Sequence, residues 1–221
     1  MKNKLAWIEA ALLAAPFAAA LALWDKLPAR IPVHWNLAGQ VDRWSSSRWE
    51  ILLLPLLSVA LIALLRVLPR LDPKLRVMTE IGRMAVALQI SRITIACCVG
   101  TLFVVQLASA LEWPLPTARI VQTALLLLLA ISGNYLGNLR PNYFFGIRTP
   151  WTLEDPDTWR ATHRLGGQLL FFGSLTLLVV SFVLSDRIFV PTMIGALGAF
   201  VLWSLLYSWH DYRRRHARRA A

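Results

Sequence analysis

Six apolar runs, each roughly 18 to 25 residues long, leave this chain few folds to choose from. They fall near 5–24, 51–68, 84–111, 118–139, 165–184 and 188–207. Each can cross a hydrocarbon core of about 30 Å. Such a core offers the backbone no water, so every N–H and C=O must be satisfied internally, as a helix does. The expectation is an all-α fold: a polytopic transmembrane helix bundle of about six spans. Composition excludes a soluble alternative, with 57% of residues hydrophobic and 16% charged, where soluble domains carry about a quarter charged.

The net charge of +11 would suggest nucleic acid in a soluble protein. Here the basic residues gather between the spans and at the tail, so no direct nucleic-acid binding is expected. One face collects Lys2, Lys4, Arg66, Arg70, Lys74, Arg76, Arg83, Arg140, Arg148, Arg160, Arg164 and the Arg213–Arg219 cluster. The other holds Lys26, Arg30, Arg43, Arg48, Arg119 and Arg187. Basic loops stay in the cytoplasm, which predicts an N-in/C-in orientation in a bacterial inner membrane. Span 1 carries Ala18-Ala19-Ala20, which resembles a signal cleavage site, but its apolar length favours a retained helix. Trp7, Trp24, Trp49, Trp113, Trp203 and Trp209 sit near span ends, where indoles anchor to headgroups, so membrane lipids are expected partners. Cys97 and Cys98 are adjacent inside a span and suit neither a bridge nor a zinc site.

Two connections are too long for simple turns: 25–50, expected outside, and 140–164, expected inside. The chain divides into an N-terminal two-helix unit with the outer loop (1–70) and a helical membrane domain with the inner loop (71–221). In the outer loop Ile31, Val33 and Trp35 alternate with Pro32, His34 and Asn36, the period of an extended segment with one apolar face. Asn36 to Gly39 reads as a turn with Gly39 at positive φ. Asp42 next caps backbone donors or pairs with Arg43 or Arg48. His34 has only Asn36 and Asp42 nearby, short of a metal ligand set, and is read as a hydrogen-bonded structural histidine. In the inner loop Asp155 and Pro156 mark an N-cap and first turn. Trp159 and His163 share the face of a helix running into span 5. Pro141, Gly146 and Pro150 interrupt the aromatic stretch before it. Tyr143, Phe144, Phe145 and Trp151 are placed at the interface, bringing Arg148 to a lipid phosphate or a helix end. A structural connector and a partner-binding surface both remain open for this loop.

Charges within spans are costly and mark candidate sites. Arg92 lies about 12 Å in from Met84 at 1.5 Å per residue. Glu9 is the acidic residue at matching depth in span 1, so a Glu9–Arg92 pair is expected, with Gln89 joining its polar face. Gly133 and Gly137 form a GxxxG pattern for close helix approach, with Asn134 and Asn138 stacked one turn apart. Metalloprotease, hydrolase, P-loop and dinucleotide signatures are missing. The reading is therefore non-enzymatic, with no catalytic residues, cofactor or metal.

The run Asn142-Tyr143-Phe144-Phe145-Gly146-Ile147-Arg148-Thr149-Pro150-Trp151-Thr152-Leu153, then Trp159 and Arg164-Leu165-Gly166-Gly167, resembles the signature of the SdpI family. The run Ile31-Pro32-Val33-His34-Trp35-Asn36, through Gly39, Asp42 and Trp44, resembles the N-terminal domain of unknown function that often precedes it. The resemblance implies immunity to a secreted killing peptide, with toxin sensing relayed to a small cytoplasmic repressor. It implies contacts at His34, Asn36, Gly39, Asp42 and Trp44 outside, and at Asn142, Tyr143, Gly146, Arg148, Thr149, Pro150 and Trp151 inside. Gly39 and Gly146 are expected to shape the backbone and Arg148 to touch a partner. The alternative is a transporter or flippase for a small solute or lipid, its polar path lined by Glu9, Gln89, Arg92, Asn134 and Asn138.

Overall fold

The computed structural model describes residues 2–76 and 82–220. The side chains of Lys2, Arg76, Arg218 and Arg219, counted above toward orientation, lie outside the described ones. Among the described residues, eight α-helices and one hairpin follow in order, with short 3-10 turns at Trp24–Lys26 and Arg48–Leu52: α1 (Lys2–Ala22), β1 (Ile31–Trp35), β2 (Val41–Ser45), α2 (Leu53–Leu71), α3 (Pro73–Arg76), α4 (Gly82–Ala110), α5 (Thr117–Leu136), α6 (Pro150–Glu154), α7 (Pro156–Ser181) and α8 (Asp186–Ala220). Six of the helices are long and apolar enough to cross a membrane, and the protein is a multi-pass membrane protein. α5 stops at Leu136, short of the expected end near 139, because the residues from Gly137 on turn into the inner connection.

α4 is the most buried of the six and forms the centre. α1, α2 and α5 pack on it, α7 packs along α5, and α8 covers α7. Many of the exposed apolar side chains lie on the outer faces of the spans, such as Leu53, Leu56, Leu57 and Leu64 of α2 and Val201, Leu202, Leu205 and Leu206 of α8. With lipid as apolar as leucine, small residues and close contact hold the helices together. The tightest crossing joins α5 to α7. A Cβ on Gly133 would meet Phe171 N at 2.6 Å and Gly167 O at 2.8 Å, and one on Gly167 would meet Gly133 O at 2.7 Å. Gly137, the other half of the GxxxG pattern, leaves 3.7 Å to Arg164 Cα. The contact thus runs from Gly133 to a glycine in another helix.

At the end of the bundle where α1 meets α2, Ala20, Leu27, Ile31, Ile51, Phe103 and Leu107 form one apolar cluster. The hairpin lies over it. At the opposite end, the irregular segment 137–149 and α6 connect α5 to α7.

Candidate functional site

The hairpin is antiparallel, with Ile31 opposite Ser45 and His34 opposite Arg43, and irregular on either side of His34. Its turn closes as expected. Asn36 Oδ1 accepts from Ala38 N and Gln40 N, both at 3.0 Å, and Gly39 takes φ 75°. Gly39 also touches α5, since a Cβ there would lie 2.7 Å from Ala118 N. The Gln106 amide of α4 donates to Pro32 O at 3.0 Å, and Trp35 Nε1 donates to Ser109 Oγ at 3.3 Å. The segment is therefore fastened to the bundle. Asp42 pairs with neither Arg43 nor Arg48. Its Oδ1 lies 2.6 Å from His34 Nδ1, because the irregular register brings both side chains to the exposed face. Trp44 is half exposed beside them.

The inner connection is built mainly from residues that tie down its own backbone. Asn142 is fully buried; its Oδ1 accepts from Phe144 N and Phe145 N, and its amide donates to Arg140 O and Phe145 O. Buried Asp72, after α2, accepts from Tyr143 N at 2.7 Å and from Lys74 N at 2.8 Å. Lys74 Nζ then reaches Leu153 O at 2.9 Å and lies over the Tyr143 ring. Thr149 and Thr152 form a reciprocal capping box, with Pro150 in the first turn of α6 and Trp151 half-buried behind it. Thr149 Oγ1 also donates to Ser208 Oγ of α8 at 3.0 Å.

Asp155 caps α7 through Thr158 N, as its sequence signal predicts. Trp159 and His163 stack at 3.9 Å, and Trp159 Nε1 donates to Leu139 O. His163 Nδ1 donates to Trp159 O at 2.9 Å while Nε2 accepts from Ile147 N at 3.0 Å. Gly146, at φ 96°, passes so close that any Cβ would collide with His163 Nε2. Arg148 meets a carbonyl of its own loop, Nη1 donating to Tyr143 O at 2.8 Å, and stays exposed.

Between the spans, Arg92 does pair with Glu9. Arg92 Nε lies 3.3 and 3.4 Å from the two carboxylate oxygens of fully buried Glu9. A second cation joins: Arg66 of α2 reaches Glu9 Oε1 at 2.8 Å. Gln89 is half-buried one turn away and makes no hydrogen bond to the group. Asn134 is exposed and Asn138 half-buried, and neither reaches it.

Arg92 also lines a cavity of ≈ 350 Å³ with Ser91, Ser132, Tyr135, Phe145 and Arg148. That cavity joins the intramembrane charge to the inner connection, two features the sequence placed separately. It is aromatic and cationic, suited to holding an anionic or amphipathic group by guanidinium and ring contacts. Arg66, Asp72 and Lys74 are the residues sequence reading missed. All three sit at the end of span 2, where basic residues read as orientation signals.

Residues 138–208 match the family model described as the SdpI/YfhL protein family. Residues 11–59 match one described as a domain of unknown function, DUF1648. The chain is 32% identical over 91 residues to a protein of Bacillus subtilis (strain 168) named Immunity protein SdpI. That similarity covers 41% of this chain and 44% of the relative, so it spans less than half of that protein's length. No solved structure matches.

Proposed function

We propose that this chain, whose residues 138–208 match the SdpI/YfhL protein family, is a non-enzymatic immunity protein of the bacterial inner membrane. It protects the cell against a secreted antimicrobial killing peptide. The observation that carries this reading is the 32% identity to a protein named for immunity. The geometry supports it at both ends. A hairpin fastened to α4 and α5 offers His34, Asp42 and Trp44 to one side of the membrane. The other side presents a rigid connection with exposed Arg148 and Tyr143, which could hold a small cytoplasmic repressor and relay toxin sensing to it. The transporter reading is supported less well. The Arg92 cavity lies toward the inner connection, while the hairpin end is filled by the cluster around Phe103 and Ile31.

The test is a killing assay. Cells carrying the parent protein, or its His34→Ala or Arg148→Ala variant at matched membrane levels, are challenged with a membrane-attacking peptide toxin. The parent protects, and at least one variant protects less without loss of accumulation. Sensitivity of the parent-expressing cells equal to that of empty cells counts against immunity and favours solute or lipid transport.

A further inference from the structure

The connector end holds two concavities that immunity does not require. One, of ≈ 680 Å³, lies between the start of α4, the 137–141 turn and the start of α7, with Arg83, Arg140 and Arg160 on its walls and Met84 and Leu139 beneath. The other, of ≈ 370 Å³, shares Arg160 with it and continues to Arg164 and Arg215, with Asp157 also on its wall. Five guanidinium groups from four segments therefore surround two adjoining clefts.

The acids nearby are engaged. Asp157 holds Arg160 at 2.6 Å and faces Arg215 at 4.0 Å, and Asp211 holds Arg215 at 2.6 Å. Buried Asp155 caps α7. Arg83, Arg140 and Arg164 make no ion pair among the described residues. An orientation signal needs positive charge only somewhere in the loop; it does not need that charge to converge on a cavity from several helices. Asp157 and Asp211 offset the charge of Arg160 and Arg215, but Arg83, Arg140 and Arg164 leave an excess of positive charge around the clefts that favours a further anion.

We propose that these clefts bind a phosphate-bearing anion, with one phosphate in each cleft and Arg160 between them. The guanidinium fork matches phosphate oxygens two at a time, and does so better than an ammonium group. Depth favours a lipid headgroup as the source. Arg83 lies about 13 Å along α4 from Arg92 at 1.5 Å per residue, toward the end of the span where headgroups sit. Basic pockets between spanning helices are suited to such headgroups. The floor of Met84 and Leu139 offers an apolar surface to the first carbons of an acyl chain. A soluble diphosphate carries the same chemistry without the chains.

The experiment is native mass spectrometry of the full chain in detergent, counting retained diphosphatidylglycerol, with phosphatidylcholine as the zwitterionic control and inorganic pyrophosphate as soluble competitor. Each arginine near a headgroup is worth about fivefold in affinity, so Arg83→Gln with Arg140→Gln lowers retention about 25-fold. Arg213→Gln with Arg214→Gln removes the same charge from the exposed tail beside Arg215 and changes retention by less than about twofold, because neither side chain lines a cleft and exposed charges are screened. Arg164→Gln, alone and in the second cleft, lowers it about fivefold and serves where the double variant fails to match the parent's helical circular dichroism. Displacement by pyrophosphate assigns recognition to the phosphates themselves. Retention in its presence assigns the lipid, provided the cleft variants lose it. Equal losses in cleft and tail variants, or retention of phosphatidylcholine at the level of the anionic lipid, overturn the proposal.

Discussion

Removing Glu9 should unsettle the bundle more than removing either of its cationic partners. The Glu9 side chain is 1% exposed, Arg92 16% and Arg66 52%. Glu9→Leu strands the Arg92 guanidinium among apolar helices, and breaking a buried pair from one side costs about 3–5 kcal/mol. Arg92→Leu leaves Glu9 still held by Arg66 at 2.8 Å, so its cost falls to about 2 kcal/mol. Arg66→Leu removes a half-exposed partner that solvent and headgroups screen, worth less than about 1 kcal/mol. In a chain of this size each kcal/mol moves the unfolding midpoint by about 2–4 °C, so Glu9→Leu should lower it by about 10 °C. Glu9→Leu with Arg92→Leu replaces the pair by packing and recovers to within about 1 kcal/mol of the parent. The assay is a thermal ramp on detergent-solubilised protein, read as the surviving monodisperse peak in size-exclusion chromatography. An Arg66→Leu loss as large as that of Glu9→Leu, or a double variant showing the sum of both single losses, would refute the reasoning.

The same ramp separates the two glycines of the GxxxG pattern. Gly133→Ala drives a methyl into the α7 backbone and costs about 1–3 kcal/mol or more, whereas Gly137→Ala, with 3.7 Å of room, stays within about 0.5 kcal/mol. Gly146→Ala combines a strained positive φ with displacement of His163, at about 1–3 kcal/mol for the backbone alone. Its effect should appear as faster hydrogen exchange at Ile147, whose N–H bonds to that ring. Asn142→Ala orphans the N–H groups of Phe144 and Phe145 and costs about 2–3 kcal/mol. Limited proteolysis should then cut within 140–149, where the parent resists.

What could be read in advance divides along physical lines. Span positions follow from apolar length, a local property, and all six appeared as helices. The Asp155 cap, the shared face of Trp159 and His163 and the Gly39 turn follow from spacings of a few residues and formed as expected. Glu9–Arg92 was also legible, because depth along a spanning helix is a single coordinate shared by every span. Arg66 shares that depth, but its position near a loop invited a topological reading. His34–Asp42 depended on an irregular strand register that no local pattern announces. The anchoring of 140–149 by Asp72 spans 71 positions in sequence. A contact of that range is set by where the chain leaving α2 meets the connection that follows α5, which hydropathy does not record.

The hairpin's attachment bears on how any visitor from that side would be met. Its turn presses on Ala118, and its first strand is pinned by Gln106 and Ser109. The surface carrying His34, Asp42 and Trp44 is thus already in its final shape before an encounter. On the proposed reading, a peptide that settled there would spend its interaction energy on contact, with little lost to ordering the hairpin. Association then needs no folding step on this side, and its speed is governed by diffusion and orientation. A plate of this kind can intercept a dilute molecule that is itself disordered, because only one of the two partners has to find its shape.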